Sequence, residues 1–246
     1  MGTRIREPQG VGIGDWRRTQ PLPLADATGD ITARQQTSQE PRRDRAIHHY
    51  VKRLLDFSLA LCALVLLSLL MLAIALVIML AEGRPIFFQR TVIGWNGKRF
   101  GMWKFRSMVN GAEEMLMEDD SLYAAYRQSH FKLPHDPRVT RFGRILRKHS
   151  LDELPQLWNV VKGDMSLVGP RAIHPSERSL FGDFADKRET ILPGMTGLWQ
   201  VSGRSDTGYD ERIRLDREYV EHCGLWLDIR ILLRTAVVVI IGRGAY

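Results

Sequence analysis

Cysteine is scarce: two residues, Cys62 and Cys223, in a chain of 246. Two thiols, one of them inside an apolar run, exclude a disulfide scaffold and a cysteine-based zinc cluster, and they fit a reducing compartment. No internal repeat is visible. No helix-turn-helix, finger or RNP spacing accompanies the basic charge, which sets nucleic acid aside as a partner. Acidic residues are in the minority, 28 against 35 lysines and arginines, for a net charge of +7. An acidic disordered chain is therefore excluded, and an anionic partner is indicated, a phosphorylated substrate or a membrane surface. The 44% hydrophobic share and mean hydropathy of −0.19 are those of an ordinary soluble protein, but the apolar residues are unevenly spread.

From Phe57 to Ala81 no charged residue, proline or glycine occurs, and the polar positions are Ser58 and Ser68. As a helix this run covers about 38 Å, against about 30 Å for a bilayer core. It begins too late and runs too long for a signal peptide, and a helix apolar on every side points to membrane insertion over a buried core helix. Both flanks are basic: Arg42, Arg43, Arg45, Lys52 and Arg53 before it, Arg84, Arg90, Lys98, Arg99, Lys104 and Arg106 after it. Positive charge marks the cytoplasmic side, so a simple span would place one basic flank outside, whereas a helix that enters and returns satisfies both. Ser68, near the midpoint, is the residue able to bend it by bonding back to a carbonyl.

Residues 1–45, rich in Gly, Pro, Gln, Thr and Arg without apolar periodicity, read as a disordered tail. A helix is expected from Ile47 into the apolar run, ending at Glu82-Gly83-Arg84-Pro85. Ile86–Ile93 and Arg99–Phe105 flank Gly94-Trp95-Asn96-Gly97-Lys98, the pattern of a β-hairpin with an Asn-Gly turn. Ala112–Arg127 reads as one amphipathic helix and residues 133–151 as a basic loop. Leu225–Ile241 is apolar but carries Asp228, Arg230 and Arg234, so it is either a core helix or one lying in an interface with its arginines snorkelling.

The densest chemistry lies between Arg147 and Asp164. Leu154, Leu157, Trp158 and Val161 follow helical spacing and predict one buried stripe. Ser150 and Glu153 spell a capping box, but that register puts Pro155 where its missing N–H costs a bond. A start at Asp152 removes the conflict and sets Asp152 and Glu153 at the helix mouth, where the dipole would keep Asp152 ionised. With Arg147 and Lys148 just upstream, the pair suits a divalent cation and a phosphorylated ligand, and a carboxylate is a competent nucleophile toward phosphorus. An ordinary solvated helix start is the alternative meaning of the pair. Lys104 and Arg106, at the end of the hairpin, and Arg171, aimed by the Gly169-Pro170 turn, are further candidates for gripping phosphate.

Taken together, the basic-flanked apolar run, KFRSM at 104–108, SLDELPQLWNVVKGDMSLVGPR at 150–171 and LPGMTGLWQVSGR at 192–204 resemble the bacterial sugar transferases. These are monotopic phosphoglycosyl transferases that start exopolysaccharide repeat units, and the C-terminal block is similar to their ExoY-like, hexose-type members. The resemblance covers roughly residues 47–246. It implies a mainly α fold with a small β-hairpin: a disordered cytoplasmic tail (1–45), a re-entrant membrane helix-break-helix (46–84), a compact cytoplasmic catalytic domain (85–224) and an amphipathic C-terminal helix (225–246). It implies transfer of a hexose-1-phosphate from a UDP-hexose to undecaprenyl phosphate at the cytoplasmic face of the bacterial inner membrane, with release of UMP. Asp152 matches the nucleophile and the Mg²⁺ contact, Glu153 the partner carboxylate, Lys104, Arg106, Arg147 and Arg171 basic substrate-binding positions, and Ser68 the membrane break. Two departures stand out. Leu69 and Ala172 replace prolines common in the family, which bears on the sharpness of the bend and on the turn behind Arg171. A homodimer is compatible with the sequence, and a non-catalytic membrane-anchored adaptor of a polysaccharide assembly complex is the competing function.

Overall fold

The computed structural model describes residues 42–129, 133, 135–203 and 208–241. The tail expected over residues 1–45 therefore falls almost wholly outside the described residues, as do the last five residues of the C-terminal segment. Contacts divide the chain into two units, Met1–Ala46 and Ile47–Tyr246, and the second holds nearly all the described elements.

Helix α1 (Arg42–Leu66) and helix α2 (Ser68–Glu82) carry the apolar run. They are bent by 59° at Leu67. Ser68 Oγ donates to the Val65 carbonyl at 2.8 Å while Leu67 stands at φ −94°, ψ 2°. The bend thus forms at the serine without the proline. Among the described residues no single helix is long and apolar enough to cross a membrane, whereas the bent pair passes that test together. Ala60, Ile74 and Ile78 are buried against the body, but Val65, Leu66, Leu69, Leu72 and Leu80 are exposed, Leu69 at 79%. Together these side chains form a contiguous apolar surface along the bent pair. Gly83, at φ +74°, ends α2 in a conformation that favours glycine.

The hairpin forms as expected: β1 (Phe87–Ile93) pairs antiparallel with β2 (Arg99–Phe105), Phe87 opposite Phe105 and Ile93 opposite Arg99. Its turn holds Asn96 and Gly97 at φ 52° and 73°, the left-handed region that both residue types tolerate.

The single helix expected over 112–127 is two, α3 (Ala112–Glu118) and α4 (Asp120–Gln128). Asp119 interrupts it, because its carboxylate accepts from the Leu122 amide at 2.9 Å and caps the second helix. The basic loop expected over 133–151 contains helix α5 (Arg141–Lys148), capped by Thr140 Oγ1 on the Gly143 amide at 2.8 Å. Arginines and a central glycine hide its pattern. Leu146 is its buried anchor, and a side chain at Gly143 would collide with the Ser107 backbone, so glycine lets the helix press against that strand end.

The helix expected to open at Asp152 opens later. Leu151–Glu153 form a 3-10 turn and α6 runs from Gln156 to Lys162, with Pro155 just ahead of it. Ser150, at φ 54°, makes no side-chain cap, so the capping box is absent. The predicted stripe is also corrected. Gln156, Leu157, Asn159 and Val160 are buried and Leu154 and Val161 half-buried, while Trp158 is 51% exposed.

Beyond α6, β3 (Ser166–Val168) pairs parallel with β4 (Gly194–Thr196). Between and after them come a 3-10 segment (Pro175–Phe181), α7 (Phe184–Glu189), α8 (Leu198–Ser202), α9 (Tyr209–His222) and α10 (Leu225–Ile241). Helix α10 joins both readings offered for it. Asp228 and Ile231 are buried, while Trp226, Leu233 and Val237 remain exposed on the other side. The fold is therefore mainly helical with small two-stranded sheets, as expected.

Candidate active site

Three elements bring the Asp-Glu turn its neighbours. The last turn of α5 supplies Arg147, the end of β2 supplies Lys104, and the 3-10 turn presents Asp152 and Glu153 ahead of α6. Lys104 Nζ donates to Glu153 Oε1 at 2.6 Å, and Arg147 Nε donates to Ser107 Oγ at 2.9 Å. Asp152 is 6% exposed. Burial raises its pKa above the usual carboxylate range. Lys104 and Arg147 pull it down, the Glu153 charge pushes it further up, and its own backbone amide bonds to the charged form. This corrects the expectation that a helix dipole holds Asp152 ionised, since α6 starts four residues later and desolvation outweighs the nearby cations. The result is a buried, incompletely neutralised carboxylate beside an ion pair.

Arg106 does other work. Its Nη2 donates to the Glu82 and Gly83 carbonyls, both at 2.8 Å, and its Nη1 donates to Asn110 Oδ1 at 2.7 Å. It is buried and ties the end of the hairpin to the end of α2, which makes it an anchor and not an open phosphate ligand. Arg171 sits in a second polar cluster. Its Nη1 donates to Glu177 Oε2 at 2.8 Å and its amide to Asp216 Oδ1 at 3.4 Å. Ala172 does not loosen this turn: the Gly194 amide bonds the Pro170 carbonyl at 2.9 Å and the Gly169 amide the Thr196 carbonyl at 2.9 Å, locking it to β4.

Other polar residues hold the elements around the turn in roles that composition alone does not reveal. Arg53 of α1 reaches the end of α6, donating to Val160 O at 2.6 Å and Val161 O at 2.9 Å, where cations complement a helix C-terminus. Asn159, fully buried, accepts from the Trp103 amide at 3.0 Å and donates to the Gly101 carbonyl at 2.9 Å, stapling α6 to β2. Asp56 accepts from Ser166 Oγ at 2.7 Å, and Lys52 bonds Asp228 at 2.6 Å. The available signal was Lys52-Arg53 followed by Asp56 at one helical turn, polar residues just ahead of an apolar run.

For a metal, the donor set is sparse. Among the described residues no three His, Cys, Asp or Glu side chains gather. Such a place suits Mg²⁺, which binds through one or two carboxylates and takes further oxygens from phosphate and water. The under-neutralised Asp152, with Glu153 beside it, fits that ion.

Residues 47–242 match the bacterial sugar transferase family, and the chain belongs to it. Among its relatives, the undecaprenyl-phosphate galactose phosphotransferase of Salmonella typhimurium is 46% identical over 200 residues, covering 80% of this chain and 42% of that protein. The UDP-galactose-lipid carrier transferase of Erwinia amylovora is 44% identical over 203 residues, again 80% of this chain and 42% of the relative. The exopolysaccharide production protein ExoY of Sinorhizobium fredii is 38% identical over 227 residues, 91% of this chain and 100% of the relative. The chain thus spans less than half the length of the first two relatives and matches the third along its full length.

Proposed function

We propose that the chain transfers a hexose-1-phosphate from a UDP-sugar to undecaprenyl phosphate at the cytoplasmic face of the bacterial inner membrane. The reading rests on one observation above others: a buried carboxylate, Asp152, set beside the Lys104–Glu153 ion pair and next to Arg147. Family membership and the names of the relatives agree with it.

In the first step an oxygen of ionised Asp152 attacks the β-phosphorus of the UDP-sugar. The bond from that phosphorus to the bridging oxygen breaks, UMP leaves, and an aspartyl-phosphosugar remains. In the second step an oxygen of undecaprenyl phosphate attacks the same phosphorus and Asp152 departs as a carboxylate. Glu153 takes any proton the lipid phosphate carries, and Lys104 and Arg147 offset the charge gathering there. Desolvation favours this chemistry, because a carboxylate stripped of water is a stronger nucleophile than a hydrated one. Mg²⁺, held by Asp152 and Glu153 when bound, withdraws charge from the phosphate oxygens.

The bent helix pair supports a re-entrant seat. Its apolar tip is exposed, and Lys52 and Arg53 return α1 to the body. That arrangement keeps both basic flanks on one side and delivers a lipid phosphate to a site outside the bilayer core.

The test is UMP release by the full chain in nanodiscs with a panel of UDP-hexoses, undecaprenyl phosphate and Mg²⁺. Turnover is expected with at least one UDP-hexose, with a loss on the order of 10³-fold or more in Asp152→Asn, the scale typical of removing a nucleophile. Normal turnover in Asp152→Asn, or no UMP release with any UDP-hexose, overturns the reading and leaves the adaptor role.

A further inference from the structure

Trp158 has no part in the chemistry at Asp152, and its exposure runs against its type. Leu154 and Pro155 are already in right-handed helical conformation ahead of α6, so Leu154, Trp158 and Val161 lie along one stripe. Leu154 packs on the buried cluster that contains Ile74 and Ile78 of α2, and Val161 on the cluster that contains Ala60 of α1. Trp158, between two residues that lean on the bent pair, is nevertheless 51% exposed. It therefore stands on the flank of the body that the pair leans against.

Helix α5 reaches the same flank. Leu146 shares the buried cluster of Ile74 and Ile78, and Phe142 packs on it. Arg141, Arg144, Ile145 and Lys148 are exposed, Ile145 at 56%. These four follow one another at i, i+3, i+4 and i+7 and form a single face. The helix holds no acidic residue, and among the described residues none of the three exposed cations pairs with a carboxylate. The acids nearest in sequence are taken, Asp136 by Arg138 at 2.7 Å and Glu153 by Lys104 at 2.6 Å. Arg147 is turned to Ser107 instead.

The contact with α2 sets a level for this face. Glu82 closes the apolar run, and Ile78 and Ile74 lie four and eight residues before it. At a rise of about 1.5 Å per residue, that is roughly 6 and 12 Å along the helix. A helix resting on those residues is held where headgroups meet acyl chains once the pair is seated in a bilayer, the level at which basic amphipathic helices lie. A tryptophan with one apolar and one wet side suits the same level. An isoleucine among three unpaired cations gains nothing from water alone. Beside lipid, it enters the acyl boundary while the cations reach the headgroups.

We infer that Arg141, Arg144, Ile145 and Lys148 of α5, with Trp158 of α6, form a contact surface for the acidic phospholipid headgroups of the surrounding bilayer. Two features commit it to that partner: its charge is of one sign, and its face continues the apolar surface of the bent pair. The inference rests on the proposed seat of that pair and uses none of the side chains assigned to the transfer reaction.

The test is fluorescence quenching on the full chain in nanodiscs, without substrate. One environment-sensitive label is placed at Ile145→Cys or Trp158→Cys, or for reference at Leu69→Cys in the bend, with Cys62→Ser and Cys223→Ser removing the native thiols. The quenchers are phosphatidylglycerol and phosphatidylcholine, each spin-labelled near the top of one acyl chain, in discs of otherwise unlabelled phosphatidylcholine. At 145 and 158 the acidic lipid is expected to quench at about fivefold lower concentration than the neutral one, the scale of one cation near an acidic surface. The preference should vanish in Arg141→Gln/Arg144→Gln/Lys148→Gln, persist in Arg141→Lys/Arg144→Lys and shrink with added salt. Unchanged far-UV spectra check the fold of each variant. Asp152→Asn should keep the preference, so failure of the transfer chemistry and failure of this contact are read separately. Quenching at 69 with none at 145 and 158, or equal quenching by the two lipids there, overturns the inference while the membrane seat stands. Quenching at none of the three positions overturns the seat and the inference together.

Discussion

Asp152 and Glu177 are both nearly sealed from solvent, at 6% and 1% exposure, yet their carboxyl groups are driven in opposite directions. Burial raises both. At Glu177 it is overcome by Arg171 and Arg90, aided by bonds from Arg171 and the His174 amide, and the pKa falls below the usual range. At Asp152 burial prevails: Lys104 is already bonded to Glu153, Arg147 to Ser107, and the Glu153 charge adds repulsion. One region thus spends its cations on holding a carboxylate in place, while the other leaves a carboxylate short of them. A carboxylate perturbed by burial and left short of cations is a candidate for a functional site.

The sharpest way to break this comparison is stability. Glu177→Gln strands Arg171 and Arg90 and is expected to cost about 3–5 kcal/mol, the usual effect of removing one partner of a buried pair. Asp152→Asn is expected to unfold at the same denaturant concentration as the wild type or a higher one. Equal destabilisation of the two variants would erase the distinction.

A second difference is read against pH. Burial pushes the Asp216 carboxyl up to about 6, against the pull of Arg188 and the Arg171 amide. The folded chain therefore binds more protons than the unfolded chain between about pH 4, the usual carboxyl value, and pH 6. This group's contribution to stability is highest below that window and declines as pH rises through it. Asp216→Asn is expected to flatten that decline in denaturant melts taken from pH 4 to 7. An unchanged slope would remove Asp216 from the charge balance around Arg171.

The smallest expected effect concerns Lys104. Its pair with Glu153 is partly exposed, so Lys104→Met should change stability by less than about 1 kcal/mol. The same change removes the leading cation acting against the burial of Asp152. Since the proposed reaction uses the ionised form of Asp152, the rising limb of the pH–rate profile should move to higher pH. A shift to lower pH would contradict the electrostatics assigned to the turn.

What was legible in the sequence follows from what periodicity and composition can report. The apolar run, its bend at Ser68 and the Asn-Gly hairpin were all readable, since each depends on local chemistry. Asp152 and Glu153 stood out as a charged pair, but their burial did not, because that depends on α5 and β2 closing over the turn. Trp158, expected in the buried stripe, lies outside it for a related reason, and Asn159 is buried beside it. Hydropathy ranks tryptophan inside, whereas Asn159 goes inside because Trp103, Gly101 and Asp164 satisfy its amide. Helix α5 escaped notice behind its arginines. Sequence alone suggests Arg106 as a phosphate ligand because residue type says nothing of the Glu82 and Gly83 carbonyls that occupy it.

The central claim, that a buried and under-neutralised Asp152 takes the phosphosugar onto itself, is tested most directly by intact-protein mass spectrometry. The full chain is incubated with a competent UDP-hexose and Mg²⁺ without lipid acceptor. The expected result is a mass increase equal to one hexose phosphate in the wild type, located to the peptide carrying Asp152, absent in Asp152→Asn and discharged on adding undecaprenyl phosphate. UMP release without any adduct, or an adduct that persists in Asp152→Asn, would contradict it.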